Sequence, residues 1–120
     1  MTRTDDVNEE PAFETLLRLL DDDYAREILA ETSREPMTVP ELSENSEASP
    51  PTLYRRVEEL KRAGLVRERT RPRQDGHHDT VYAATLTRLL VTLDDGVFEF
   101  ELDRADEDAV DRLQRLWSEF

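Results

Sequence analysis

The stretch from Thr38 to Gly64 constrains the fold more than any other part of the chain. Thr38 and Glu41 stand three residues apart just ahead of Leu42, which is the spacing of a capping box. The Thr38 hydroxyl can accept the Glu41 amide, and the Glu41 carboxylate can reach back to the Thr38 amide. A short helix over 39–46 follows, with Leu42 facing inward. Ala48 and Ser49 then make a short turn. Ser49 can cap the next helix, and Pro50-Pro51 fit its first turn because those amides need no helical partner. Leu53, Val57 and Leu60 recur at i, i+4, i+7 with Tyr54 beside them, and Gly64 ends the helix as a left-handed cap.

The flanks extend this pattern. Pro11 suits a helix start, and Phe13, Leu16, Leu17 and Leu20 form a helical stripe behind it. Asp21-Asp22-Asp23 interrupts that helix and can cap a second one, whose apolar face is Tyr24, Ala25, Ile28 and Leu29. Pro36 ends it. After Gly64, residues 65–71 read as a strand, 72–79 as a polar loop holding Gly76, and 80–85 as the returning strand. Leu89, Val91 and Leu93 alternate along one further run, and Phe98, Phe100 and Leu102 along the next, with Asp94-Asp95-Gly96 between them. Residues 86–102 are left as either a second hairpin or a linker. From 105 to 120, Ala109, Val110, Leu113, Leu116, Trp117 and Phe120 share one helical face. The domains expected are a disordered arm over 1–10, a helical and hairpin domain over 11–85, and an extension over 86–120.

Charge sharpens the reading. The formal net charge is −13, from 16 Lys and Arg against 29 Asp and Glu, and Lys61 is the lone lysine. An acid-coated, lysine-poor surface suits a protein kept soluble in molar salt, where the Debye length is about 3 Å. Yet from Arg55 to Arg73 eight basic residues meet only three acids. One basic island in an acidic chain points to an anionic partner. The N-terminus has acids where a signal peptide needs a basic start, and no run of about 18 apolar residues exists, so a cytoplasmic protein without a membrane span is expected. With no Cys in the chain, disulfides and thiolate metal sites are excluded. His77-His78-Asp79 is the one cluster of metal-ligand types. Adjacent His side chains point apart and no partner ligand is evident, so no metal and no cofactor are expected. The paired acids come without a nucleophile or a phosphate loop, so no enzyme is expected.

The order helix, helix, short helix, turn, helix, hairpin has the proportions of a helix-turn-helix with a recognition helix over about 49–63. With the apolar face buried, the outer face is left to Ser49, Thr52, Arg55, Arg56 and Glu59. Hydroxyls and guanidiniums are the groups that reach phosphates and base edges in a major groove. Arg67, Arg69, Arg71 and Arg73 on the hairpin would touch the flanking backbone or minor groove. The stretch TVPELSENSEASPPTLYRRVEELKRAGLVRERTR resembles the winged helix-turn-helix of bacterial and archaeal transcription regulators, most of all the ArsR-like proteins of halophilic archaea. The resemblance covers about 11–85. It implies an α+β fold: a core of three to four helices with a β-hairpin wing over 65–85, followed here by a C-terminal hairpin and a dimerisation helix. It aligns Ser49, Thr52, Arg55 and Arg56 with recognition-helix positions and Arg67 to Arg73 with the wing. Metal-sensing members of that group typically use cysteines, so metal sensing is not implied, and any small-molecule effector is unknown.

The expected partner is double-stranded DNA, bound by a homodimer whose interface includes Leu113, Leu116, Trp117 and Phe120. The competing reading is a winged helix used for protein–protein contact, which the acidity favours. All of this hangs on the island's side chains projecting together from one surface. Guanidiniums scattered, or pinned inward against neighbouring carboxylates, would sink the gene-regulator assignment.

Overall fold

The structure, a computed structural model, describes residues 10–105. Four helices precede two β-hairpins: α1 (Phe13–Asp21), α2 (Asp23–Arg34), α3 (Val39–Ser43), α4 (Pro50–Arg62), β1 (Val66–Pro72), β2 (His78–Ala84), β3 (Leu86–Asp94) and β4 (Val97–Arg104). The expected N-terminal arm lies outside the described residues but for Glu10. The expected terminal helix, with Leu113, Leu116, Trp117 and Phe120, lies outside them altogether.

The caps form as their residue types dictate. The Asp22 carboxylate accepts the Ala25 amide at 2.8 Å and starts α2. Thr38 and Glu41 close the capping box in both directions, at 3.1 and 2.8 Å. α3 ends at Ser43, shorter than expected, and is followed by turn residues before Ser49 caps α4. Gly64 takes a left-handed φ of 78° just past the end of α4, as its position required.

Leu16 and Leu19 of α1, Ala25, Ile28 and Leu29 of α2, Val39 and Leu42 of α3, and Leu53, Val57 and Leu60 of α4 make the helical core. Leu65, Val66 and Tyr82 close it from the sheet side. The stripe expected for α1 is rotated. Leu19 is buried and Leu17 is 46% exposed, because α1 turns the Leu16/Leu19 edge to the core and its Phe13 edge to the second hairpin. Tyr54, expected beside the apolar face, is 49% exposed. It lies about 100° around the helix from Leu53, past the edge of the buried stripe.

β1 and β2 pair antiparallel from Val66↔Ala84 to Pro72↔His78, so the loop is residues 73–77, shorter than the 72–79 expected. The polar residues His78 and Asp79 belong to the ladder. Met37 adds a bridge to Tyr82, with backbone bonds of 3.0 and 2.8 Å. Residues 86–104 form a true hairpin, registered from Leu86↔Arg104 to Asp94↔Val97. Asp95 and Gly96 both adopt positive φ, at 54° and 81°, as a two-residue type I′ turn demands.

The base of the second hairpin is tied to the end of α4. Thr85 Oγ1 donates to the Gly64 carbonyl at 2.9 Å. Arg104 donates to the Gly64 and Ala63 carbonyls at 2.8 and 3.2 Å and pairs with Glu10 at 2.8 Å. A Cβ on Gly64 would stand 2.9 Å from the Arg104 guanidinium. Gly64→Ala is therefore expected to cost about 1–2 kcal/mol from the left-handed backbone, seen as a fall in Tm of roughly 4–15 °C. Gly64→Asn should lose less, since Asn enters that region more readily.

Candidate nucleic-acid interface

The site is built on α4. Its buried edge is Leu53, Val57 and Leu60, so at 100° per residue the opposite edge is Pro51, Arg55, Glu58 and Arg62. Arg55 and Arg62 are both exposed, and among the described residues neither makes an ion pair. Arg62, seven residues beyond Arg55, is a cation that the sequence reading counted in the island but did not place in the site. The i, i+7 spacing was the available signal.

At the start of α4, Ser49 accepts the Thr52 amide and its hydroxyl lies 3.1 Å from that of Thr52. The two hydroxyls are thus placed together at the positive end of the helix dipole. Pro50 and Pro51 remove two amides there.

Arg56 turns the other way. Its Nε donates to Asp22 at 2.9 Å, and its Nη1 meets Glu59 at 3.4 Å. Glu59 in turn takes Arg18 of α1 at 3.3 Å. Asp22, Arg56, Glu59 and Arg18 therefore form a chain across α1, α2 and α4. Burial raises the Asp22 pKa, but the Arg56 guanidinium and the Ala25 amide outweigh it and hold the carboxyl below its ordinary 3.8. Around this chain lies a groove of about 760 Å³ lined by Asp21, Asp23, Glu27 and Glu47 besides the pair itself. Its acidity repels an anion. Among the described residues no group of three or more His, Cys, Asp or Glu is arranged to hold a metal.

The hairpin arginines divide similarly. Arg67, Arg69 and Arg71 alternate onto one face of β1, opposite Ala83, Val81 and Asp79. Val81 and Ala83 are buried. Arg71 donates to Glu41 at 3.1 Å and to Asp79 at 3.3 Å, which ties the hairpin to the start of α3. The Thr38 amide first, and then Arg71, hold the Glu41 carboxyl below its ordinary 4.5. Arg73 meets Asp75 at 2.9 Å and Asp79 at 3.6 Å. Lys61 of α4 meets Glu68 of β1 at 2.8 Å. The structure thus pairs Ser49 with Thr52 at the start of α4 and leaves Arg55 exposed on its outward edge. Arg56 goes to the α1–α2 side, and Arg71 and Arg73 sit within carboxylate pairs.

With this geometry in place, residues 20–69 match a family model described as a helix-turn-helix domain. The match runs from the end of α1 through α4 into β1, and the β1–β2 hairpin that follows is consistent with a winged form. The crystal structure of an ArsR family transcriptional regulator, RHA00566, is 17% identical, with 88% of each chain covered and a TM-score of 0.49. No curated protein matches the chain. A helix-turn-helix domain is a binding unit, not a catalytic one. No helix among the described residues is long and apolar enough to cross a membrane.

The two shared carboxylates set a pH response. Both are depressed in the fold, so their contribution is fully present above the ordinary values of 3.8 and 4.5 and is lost as pH falls through and below them. Melting followed from pH 7 to pH 3 should show that loss below about pH 4.5, and the Asp22→Asn/Glu41→Gln double variant should show a smaller one. Arg56→Ala should lower stability by about 1 kcal/mol, because it leaves the Asp22 carboxylate without its cation. Arg55→Ala should stay within about 0.5 kcal/mol of the parent. Denaturant midpoints check both.

Proposed function

We propose that the chain is a sequence-specific, double-stranded DNA-binding transcription regulator, with α4 in the major groove and the β1–β2 wing on the flank. The observation that carries this is Arg55, exposed and without a described carboxylate partner on the open edge of the fourth helix, inside the matched helix-turn-helix domain. Arg55 reads a base edge or a phosphate. Ser49 and Thr52 seat the helix end on the backbone. Arg67, Arg69, Arg71 and Arg73 line the flank, with the first three sharing one strand face. Arg56, although one residue from Arg55, acts by holding α4 on α2.

The reading extends to a cytoplasmic, ArsR-like regulator of the halophilic archaeal kind, acting as a homodimer through Leu113, Leu116, Trp117 and Phe120. Dimers read two half-sites about one helical turn apart. The net charge of −13 supports the halophilic part. In molar salt the counterion-release contribution, a slope of about −0.9 per phosphate, largely disappears. Direct contacts and shape must then supply the affinity.

One observation favours a second reading, a winged helix for protein–protein contact. Arg56, Lys61, Arg71 and Arg73 all meet carboxylates, which lowers the positive field that the island offers. A gel shift on genomic fragments in molar KCl separates the two: retention supports DNA binding, and no retention of any double-stranded fragment supports the second reading. Within the first reading, Arg55→Ala should weaken operator binding by about 1–3 kcal/mol, roughly 5- to 150-fold. Arg18→Ala, on the α1 side, should leave it unchanged. Equal loss in both variants overturns the placement of the DNA face.

A further inference from the structure

The outward edge of α4 carries a carboxylate, Glu58, between two cations. Arg55 stands three residues before it and Arg62 four residues after. Glu58 is exposed, and among the described residues it makes no hydrogen bond or ion pair. Elsewhere in the helices the same spacing is used. Arg26 pairs with Asp23, Arg34 with Glu31 and Arg56 with Glu59, each three residues apart. The Arg56–Glu59 pair repeats the Arg55–Glu58 arrangement one position further along α4, yet Arg55 and Glu58 stay apart. Lys61, one turn beyond Glu58, is taken by Glu68 of β1 at 2.8 Å. Burial first, and then the charges of Glu68 and Glu58, push up the Tyr82 phenol of β2, which places Glu58 on the wing side of the edge. At 100° per residue it lies about 60° around the helix from Arg55. Both charges are therefore open to whatever the edge meets.

A carboxylate narrows what that can be. When ionised it only accepts hydrogen bonds, and a phosphate repels it. In the major groove guanine shows two acceptors, thymine an acceptor and a methyl group, and adenine an acceptor beside its amino group. Cytosine alone shows an amino donor with no acceptor on its own edge. We propose that Glu58 is a specificity-determining residue of α4, selecting a cytosine by accepting a hydrogen bond from its N4 amino group. The inference rests on the DNA-binding reading above and names what one further residue of that site reads. Glu58 lies about 4.5 Å along the helix axis from Arg55, so its cytosine falls about one base-pair step, 3.4 Å, from the position that Arg55 meets. Any other base leaves the carboxylate against an acceptor, so Glu58 works by exclusion as much as by attraction. Molar salt suits this device. Charges beyond about 3 Å are screened there, so repulsion from the surrounding phosphates fades while a contact at hydrogen-bond range persists.

Selection from a pool of random duplexes by the full chain in molar KCl tests this, with Glu58→Ala, Glu58→Gln and, on the second hairpin, Glu99→Gln. Both positions are exposed, and circular dichroism checks that each variant folds. The parent should enrich cytosine at one position by roughly 5- to 150-fold over the other bases. Glu58→Ala should flatten that position and keep the rest of the site. Glu58→Gln should turn it to adenine, because an amide offers the donor and the acceptor that match N7 and N6. Glu99→Gln removes the same charge and should select the parent's site. A parent site without that cytosine, or a Glu58→Ala site identical to the parent's, overturns the inference while the DNA reading stands. So does an equal change in Glu99→Gln, which traces the effect to net charge. A parent that retains no duplex overturns the DNA reading, and this assignment with it.

Discussion

Two carboxylates each do two jobs, and the arrangement of helices and wing depends on it. Asp22 caps α2 and at the same time receives Arg56 of α4. Glu41 closes the capping box of α3 and at the same time receives Arg71 of β1. In both cases an acid already needed at a helix start, where amides lack partners and the dipole is positive, becomes the anchor for a distant arginine. Local helix chemistry and long-range orientation are thus coupled through the same carboxylates, in Asp22 through the single oxygen Oδ2 and in Glu41 through its two oxygens. Loss of either acid would weaken a helix start and release a neighbouring element together.

This coupling changes what the basic island means. Counted along the sequence, eight cations between Arg55 and Arg73 suggest a broad positive surface. In space, Arg56, Lys61, Arg71 and Arg73 meet carboxylates from α2, α3, α4, the wing tip or the strands. Arg55 and Arg62 stand exposed on the outward edge of α4, with Glu58 between them.

Much of the fold was legible because it rests on short-range chemistry. The capping box, Ser49-Pro50-Pro51, Gly64 and Asp95-Gly96 each specify a backbone conformation from neighbouring residues alone. The alternation of Leu89, Val91 and Leu93 fits a strand but leaves 86–102 open between a hairpin and a linker, and the β3–β4 register decides for the hairpin. What could not be read depends on which elements meet. α1 carries Leu16, Leu17, Leu19 and Leu20 over an arc of about 160°, wider than one contact stripe, so periodicity does not choose between Leu17 and Leu19. The choice is made by α2 on one side and Phe98 and Phe100 on the other. Met37 leaves no strand pattern because one residue cannot. Adjacent residues look alike in sequence, so Arg56 reads as facing outward with Arg55, yet the two lie about 100° apart on the helix. Only the packing of α2 reveals that Arg56 has an acid within reach.

Distance ties these features to an acidic body. At molar ionic strength charges are screened over about 3 Å. The pairs that set the geometry, Arg56 with Asp22 at 2.9 Å and Arg71 with Glu41 at 3.1 Å, lie at that range. Repulsion among carboxylates spread over the surface acts over longer distances and is damped far more. High salt therefore removes the penalty of the net charge while sparing the contacts that orient α4 and the wing. In dilute salt the same chain would feel its full −13 as a long-range repulsion, against the fold and against any phosphate backbone alike.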